Sequence, residues 1–161
     1  MTTSAPRCIV RPAHSDDAAA AVAVLRASIT ACTRDHQDDP STLARWLENK
    51  TVDTFRSWLE SAHNLILVAE DHGVLTGVGL LANDGYIRLC YVEPSRQGRG
   101  VGRALLEALE AHAQQRGFEC IQLLSSYGAR SFYERAGYET SGEPTPAFGV
   151  LRTFPYRKRL R

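Results

Sequence analysis

The run Val92-Glu93-Pro94-Ser95-Arg96-Gln97-Gly98-Arg99-Gly100-Val101-Gly102-Arg103 constrains this chain more than any other segment. An apolar stretch, Ile87 to Val92, precedes it and reads as a buried strand; a helical pattern follows, with no further glycine until Gly117. Three glycines and three arginines therefore stand where a strand hands over to a helix N-terminus. That end of a helix carries unpaired backbone N–H groups and the positive end of the dipole. Glycine lets an anion approach the backbone, and arginine adds charge and donors. The segment reads as a turn that holds a pyrophosphate.

Spacing narrows the kind of ligand. A Walker loop needs two glycines separated by four residues and followed by Lys-Ser/Thr, and the chain has none. A dinucleotide fingerprint starting at Gly98 needs a third glycine where Arg103 stands. Glu119 lies at a suitable distance for a ribose-binding acid, but it precedes the next strand instead of following it.

The pattern that fits is Gln97-x-x-Gly100-x-Gly102 after a strand ending in Val92-x-Pro94. It resembles the acyl-CoA loop of the GNAT family, the GCN5-related N-acetyltransferases. A second stretch, Ala129-Arg130-Ser131-Phe132-Tyr133-Glu134-Arg135-Ala136-Gly137-Tyr138, is similar to the family pattern A-x-x-F/L-Y-x-x-x-G-F/Y at the matching distance. The likeness spans about Asn64 to Tyr138, roughly half the chain, and the residues before it match only in outline.

The resemblance implies an α/β fold of mixed α+β type: a central mixed, mostly antiparallel sheet flanked by helices, the GNAT-like acyl-CoA N-acyltransferase fold. It implies an N-acetyltransferase with acetyl-CoA as donor, no metal, and a small-molecule amine or peptide as acceptor. The backbone of Cys90, Tyr91 and Val92 would bind the pantetheine arm, and one of its N–H groups would face the acetyl oxygen. Gln97, Gly98, Arg99, Gly100, Val101, Gly102 and Arg103 would hold the pyrophosphate. Arg96, Arg99 and Arg103 read equally as phosphate contacts or as solvated surface charges. Ser126 falls where many relatives carry an asparagine that bonds the cofactor arm; a turn or cap role fits it as well. Tyr133 matches the tyrosine that protonates the departing thiolate, and tyrosine keeps its proton at neutral pH. Phe132 beside it is the better candidate for packing.

The general base is where the chain departs from the family. The strand position that carries a glutamate in histone-acetylating members is Tyr86 here, and Ile121-Gln122-Leu123-Leu124 has no acid. Glu70, Asp84, Glu93, His36 or a water remain as candidates. A lone histidine in a polar loop is more often a surface residue. The missing base keeps a second function open, a non-catalytic acyl-CoA-binding module, and a nucleotide domain of another kind is a third.

Composition sets bounds around these readings. With 161 residues the chain is expected to form a single domain, 1–161, with its own core. A formal net charge of +1 argues against a general nucleic-acid binder. No apolar run is long enough to span a membrane and no signal-peptide core stands at the start, so a cytoplasmic protein is expected. Cys8, Cys32, Cys90 and Cys120 lack C-x-x-C spacing and read as reduced, partly buried thiols. The basic tail Arg157-Lys158-Arg159-Leu160-Arg161 reads as a solvated strand end or an anion patch. Family members often pair through C-terminal strands, which makes Val150–Tyr156 the segment expected to serve a homodimer.

Periodicity orders the elements. Ile9-Val10-Arg11 opens a strand, and Ser15, Asp16 and Asp17 cap an alanine-rich helix to about Ser28. Thr33 to Ser41, with Asp35, His36, Asp38 and Asp39, reads as a polar loop, whose acids would attract a cationic amine or simply be solvated. The triplets Leu43, Trp46, Leu47 and Phe55, Trp58, Leu59 mark two short amphipathic helices, with the tryptophans expected in the core more than in an acceptor pocket. Leu65–Glu70 and Val74–Ala82 form a hairpin, and Asn83-Asp84-Gly85 turns into the next strand. The glycine-loop helix ends at Gly117; a strand at Cys120–Leu124, a helix at Gly128–Arg135 and a strand at Val150–Tyr156 complete the chain.

Overall fold

A computed structural model describes residues 8–161; residues 1–7, part of the stretch read for a signal-peptide core, lie outside the described residues. The strands are β1 (Ile9–Pro12), β2 (Asn64–Asp71), β3 (Val74–Ala82), β4 (Tyr86–Val92), β5 (Cys120–Ser125), β6 (Glu139–Thr140), β7 (Thr145–Ala147) and β8 (Val150–Arg159). The helices are α1 (Ala18–Thr30), α2 (Thr33–His36), α3 (Pro40–Leu47), α4 (Val52–Glu60), α5 (Val101–Gln115) and α6 (Arg130–Arg135). The sheet runs β1-β2-β3-β4-β5-β8-β6, and β7 pairs β8 off that path. Every pairing is antiparallel except β4 with β5.

Strand alternation sorts the core onto two faces. In β2, Ile66 and Val68 join Val22, Leu25 and Phe55 of α1 and α4, while Leu67 joins Leu105, Leu106 and Leu109 of α5. β3 divides the same way, Val78 and Leu80 against Leu81. The long helix presses so closely on β3 that a side chain has no room there. A Cβ on Gly79 would lie 2.9 Å from Leu109 Cδ1 and 3.2 Å from Leu105 Cγ. Gly79→Ala is therefore expected to destabilise the fold by about 1–3 kcal/mol through overpacking. The urea midpoint should fall with its slope unchanged; an unmoved midpoint would mean that α5 yields freely on the sheet.

One irregularity in β4 shapes the functional region. Leu80 pairs with Leu89 and Leu81 with Ile87, which leaves Arg88 unopposed. The extra residue flips the alternation: Ile87 packs with the α5 cluster, Leu89 with the α1 cluster, and Cys90 returns to the α5 side. Such a bulge bends its strand and raises its twist. β4 meets β5 at only two positions, Tyr86 with Gln122 and Ile87 with Leu123, and then leaves it.

Two expectations need correction. Thr33–Ser41 is not a loop: it holds α2 and the start of α3. Asp39 caps α3 by accepting the Thr42 N–H at 3.0 Å, with Pro40 in the first turn, so Asp39-Pro40 was a helix start. His36 is not at the surface but 2% exposed. Its Nε2 lies 2.9 Å from the Thr30 carbonyl, and its Nδ1 accepts the Asp38 N–H at 3.0 Å. Both ring nitrogens serve the backbone, so His36 pins the connection between α1 and α3.

The last strand runs further than expected, and Arg157, Lys158 and Arg159 of the basic tail pair with Gln122, Ile121 and Cys120 of β5. β8 has β5 along one edge and β6 and β7 along the other. β6 and β7, two and three residues long, are too short to leave a periodic signal in the sequence. Among the described residues, no helix is long and apolar enough to cross a membrane.

Candidate active site

Where β4 and β5 part, a cleft of about 1200 Å³ opens between them. One bank is the end of β4, Cys90 to Val92; the other is Leu124, Ser126 and the residues that lead into α6. The Glu93 N–H donates to the Thr76 carbonyl at 2.8 Å, which sets the ladder between β3 and β4. In an antiparallel pair, alternate residues point both backbone groups at the partner. Tyr91 therefore faces β3, and Cys90 and Val92 turn their N–H and C=O toward the gap. The Gln97 side-chain amide reaches the Val92 carbonyl at 3.5 Å from that side. This is an unpaired strand edge of the kind that takes an extended chain as an extra strand.

The turn after β4 leaves its backbone uncovered. Glu93 accepts the Ser95 N–H at 3.0 Å and shapes the first bend. Gly98 (φ 78°) and Gly100 (φ 84°) then adopt left-handed backbone, with Gly100 as the N-cap of α5. A Cβ on either would meet nothing within 4 Å, so conformation and access explain them, not crowding. Gly102 has a different role. A Cβ there would lie 3.3 Å from Phe132 Cζ and 3.4 Å from Val92 Cγ2. Its bareness lets the Phe132 ring settle against the head of α5.

The residues singled out in the sequence largely converge. Cys90, Tyr91, Val92, Gln97, Gly98, Gly100, Gly102, Arg103, Ser126 and Tyr133 all line the cleft. Arg99 and Val101 are outside that lining: Arg99 is exposed on the turn, and Val101 is buried with its side chain toward Gly77 of β3. Arg96 turns away and bonds Asp71 on the β2–β3 hairpin at 2.9 Å. Arg103 pairs with Glu107 one turn along α5 at 3.0 Å, with both side chains well exposed. Ser126 Oγ accepts the Ala129 N–H at 3.2 Å and so caps the turn before α6 while lining the cleft.

Tyr133 is 6% exposed, packed edge-on against Phe132 and Tyr138 with ring centroids 5.1 and 5.6 Å away. Burial lifts its hydroxyl well above the ordinary tyrosine pKa, and the neighbouring Cys90 thiol adds to the effect. The hydroxyl therefore keeps its proton at any working pH. Burial likewise pushes the Cys90 thiol up to about 12, which disfavours its thiolate. The Cys32 thiol, pushed up to about 11 by burial, donates to the Ser28 carbonyl at 3.2 Å.

None of the four acids and bases anticipated as general base lines the cleft. Glu70 accepts from Arg11 at 3.0 Å on the far side of the sheet's first strands. Asp84 is tied to Arg88 at 2.6 Å and Glu93 to Ser95; His36 is spent as described. The carboxylates that do line the cleft are Asp35, Glu107 and Glu110. The Asp35, Asp38 and Asp39 cluster is thus dispersed, since Asp39 caps α3 and Asp38 is exposed. Trp46 is 1% exposed and yet lines the cleft, while Trp58 packs against Phe55 with centroids 6.2 Å apart. Phe148, from the β7–β8 turn, also reaches the cleft and left no trace in the periodicity. Among the described residues, no group of three or more histidine, cysteine, aspartate or glutamate side chains is placed to hold a metal ion.

The sheet order, the gap between β4 and β5 and the glycine turn define an acyltransferase fold, and comparison with known proteins agrees. The family model for the acetyltransferase (GNAT) domain matches residues 19–160. The chain belongs to that family and is an acyltransferase. A GCN5-related N-acetyltransferase from Rhodopseudomonas palustris is 29% identical, with 99% of each chain covered and a TM-score of 0.84. The PaiA N-acetyltransferase of Thermoplasma acidophilum, solved in complex with coenzyme A, superposes with a TM-score of 0.81 at 18% identity, over 94% of this chain and 98% of that one. YncA of Salmonella typhimurium, solved with its cofactor acetyl-CoA, gives 0.74 at 22% identity, over 97% and 95%.

Proposed function

We propose that this chain, acting as one domain in the cytoplasm, transfers the acetyl group of acetyl-CoA to a primary amine of a small molecule or peptide. The attack is direct, within a ternary complex. The observation that carries this reading is the gap between β4 and β5, which runs from the glycine turn to the buried Tyr133 hydroxyl.

The residues fit such a donor. The N–H and C=O of Cys90 and the N–H of Val92, whose carbonyl the Gln97 amide reaches at 3.5 Å, suit an amide-bearing arm lying along β4, and the Cys90 N–H is a fixed donor for the thioester oxygen. Gly98, Gly100 and Gly102 leave the backbone at the head of α5 open to a pyrophosphate, which the helix dipole also favours. Bound there, acetyl-CoA supplies an activated thioester. Tyr133 holds the proton that the departing sulfur needs, and burial of the side chain keeps that proton in place.

Release of free thiol from acetyl-CoA across a panel of small amines, polyamines, amino acids and N-terminal peptides tests the reading. Amine-dependent release is expected. Acetyl-CoA binding with no release by any acceptor would turn the assignment to a non-catalytic binding module.

A further inference from the structure

The end of the cleft away from the glycine turn is formed by α1, α2, α3 and the turn between β7 and β8, through Ser28, Cys32, Asp35, Trp46, Tyr91 and Phe148. Asp35 and its neighbour Arg34 both line this end, and neither forms an ion pair among the described residues. Of the three carboxylates that line the cleft, Glu107 is paired with Arg103 and Glu110 with Lys158. Asp35 has no ion-pair partner among the described residues. It is half-buried and accepts the Tyr127 N–H at 2.7 Å, with the Gly128 N–H also turned to it, so backbone orients the carboxylate while the group still lines the cleft.

The wall beside it is aromatic. The Phe148 ring stacks on Trp46 with centroids 5.2 Å apart and planes 26° from parallel. Phe148 is 39% exposed, whereas Trp46 is covered. The backbone beneath the ring is strained: Phe148 has φ 41° and is followed by Gly149 at φ 84°. A two-residue turn of this hand takes asparagine or glycine at its first position without strain. The tip is also pressed against α3, since a Cβ on Gly149 would lie 2.7 Å from Arg45 Cβ. A phenylalanine held in that conformation, with one ring face on Trp46, is placed to present its other face to the cleft.

We infer that this end of the cleft binds an amine carried on a flat apolar body, with Asp35 receiving the ammonium and the Trp46–Phe148 stack receiving the apolar part. The inference rests on the transferase reading for its chemistry but not for the binding itself. In the transfer, Asp35 takes one proton from the ammonium, and the neutral nitrogen forms the N–C bond as the C–S bond breaks. The leaving sulfur takes the Tyr133 proton, the nitrogen returns its second proton to Tyr133, and one proton is released from Asp35 overall.

The groups around Asp35 set the pH dependence. Burial raises its pKa, and the Tyr127 and Gly128 N–H groups, His36 and Arg130 oppose that rise. Arg34, the residue before it, and Arg130 of α6 both lie over the Tyr127 ring, at 5.5 and 4.0 Å. Cys32 and Tyr91 are the neighbouring neutral titratable groups. A carboxylate base must be ionised, so activity should fall as pH drops through its raised pKa. A variant without the carboxylate should lack that acidic limb.

The test uses three probes: 2-phenylethylamine, its uncharged counterpart 2-phenylethanol, and putrescine, which has charge without a flat body. Calorimetric titration should show the first binding wild-type protein at least about 10-fold tighter than either other probe. Asp35→Asn keeps an oxygen for the Tyr127 N–H, and should lose that preference over 2-phenylethanol. Phe148→Asn suits the left-handed turn, and should lose the preference over putrescine. With 2-phenylethylamine as acceptor, Asp35→Asn should lower kcat/KM about 100-fold and remove the acidic limb, with the KM for acetyl-CoA unchanged. Equal binding of the three probes, or an Asp35→Asn enzyme with wild-type affinity and pH profile, would overturn the inference. Charge- and ring-dependent binding without thiol release would support the subsite and sink the transferase reading. Thiol release that ignores both variants would do the reverse.

Discussion

Replacing Tyr133 with phenylalanine is expected to lower kcat by about 100- to 1000-fold, as befits loss of a general acid. That is about 2.7–4.1 kcal/mol of transition-state stabilisation. Affinity for acetyl-CoA should stay within about twofold, because the change removes one hydroxyl and leaves the ring among Phe132, Tyr138 and Tyr156. Tyr133 is 6% exposed, and the variant keeps every ring contact while giving up only the hydroxyl beside the Cys90 thiol. The same burial predicts the alkaline behaviour. A hydroxyl held well above the ordinary tyrosine value stays protonated, so the wild-type enzyme should show no loss of kcat from this group up to about pH 10. A Tyr133→Phe enzyme with near-normal kcat would remove Tyr133 from the mechanism and leave it as packing. An early alkaline limb in the wild type would show that the hydroxyl is less shielded than its burial implies.

The second large effect belongs to the glycine turn. Gly100→Asp should weaken acetyl-CoA binding about 100-fold or more, since it sets a carboxylate beside the amides offered to the pyrophosphate. Two costs combine here. A non-glycine residue at φ 84° is strained by about 1–2 kcal/mol, and the new charge opposes the ligand's own. Gly100→Asn separates them. Asparagine tolerates the left-handed conformation and carries no charge, so it should keep affinity within about tenfold of the parent. A Cβ at this position meets nothing within 4 Å, so neither variant should disturb the core. Equal, small losses for both would mean that the pyrophosphate lies elsewhere. Equal, large losses would mean that backbone conformation alone governs the site.

Much of this molecule was legible before any coordinates. Gly117 ends α5 with φ 86° and Gly137 follows α6 with φ 94°, as helix-stop glycines should. The hairpin around Asp71-His72-Gly73 and the turn at Asn83-Asp84-Gly85 are where the turn chemistry put them. The two arginines nearest the turn's start and end were less legible. Arg96 finds Asp71 twenty-five residues away, and Arg103 finds Glu107, and only a folded chain brings the first pair together. His36 shows the same limit: its polar neighbours suggested solvent, while its two backbone partners bury it.

What the linear chain determined by itself are features whose cause is local. Alternating and 3.6-residue apolar patterns reflect which face of an element meets the core, and glycine or Asp-Pro punctuation reflects backbone sterics and capping within a few residues. Every strand except β6 and β7, the longer helices, the glycine turn and the place of Tyr133 on α6 belong to that class. The bulge at Arg88 and the parting of β4 from β5 depend on how three strands share hydrogen bonds. Asp35 against Tyr127 and Phe148 on Trp46 join residues 92 and 102 positions apart. No propensity encodes such pairs, because their energy exists only once the sheet has brought distant segments into contact. The glycine-turn end of the cleft was therefore written in the sequence, and the end built from α1, α2, α3 and the β7–β8 turn was decided by the tertiary structure.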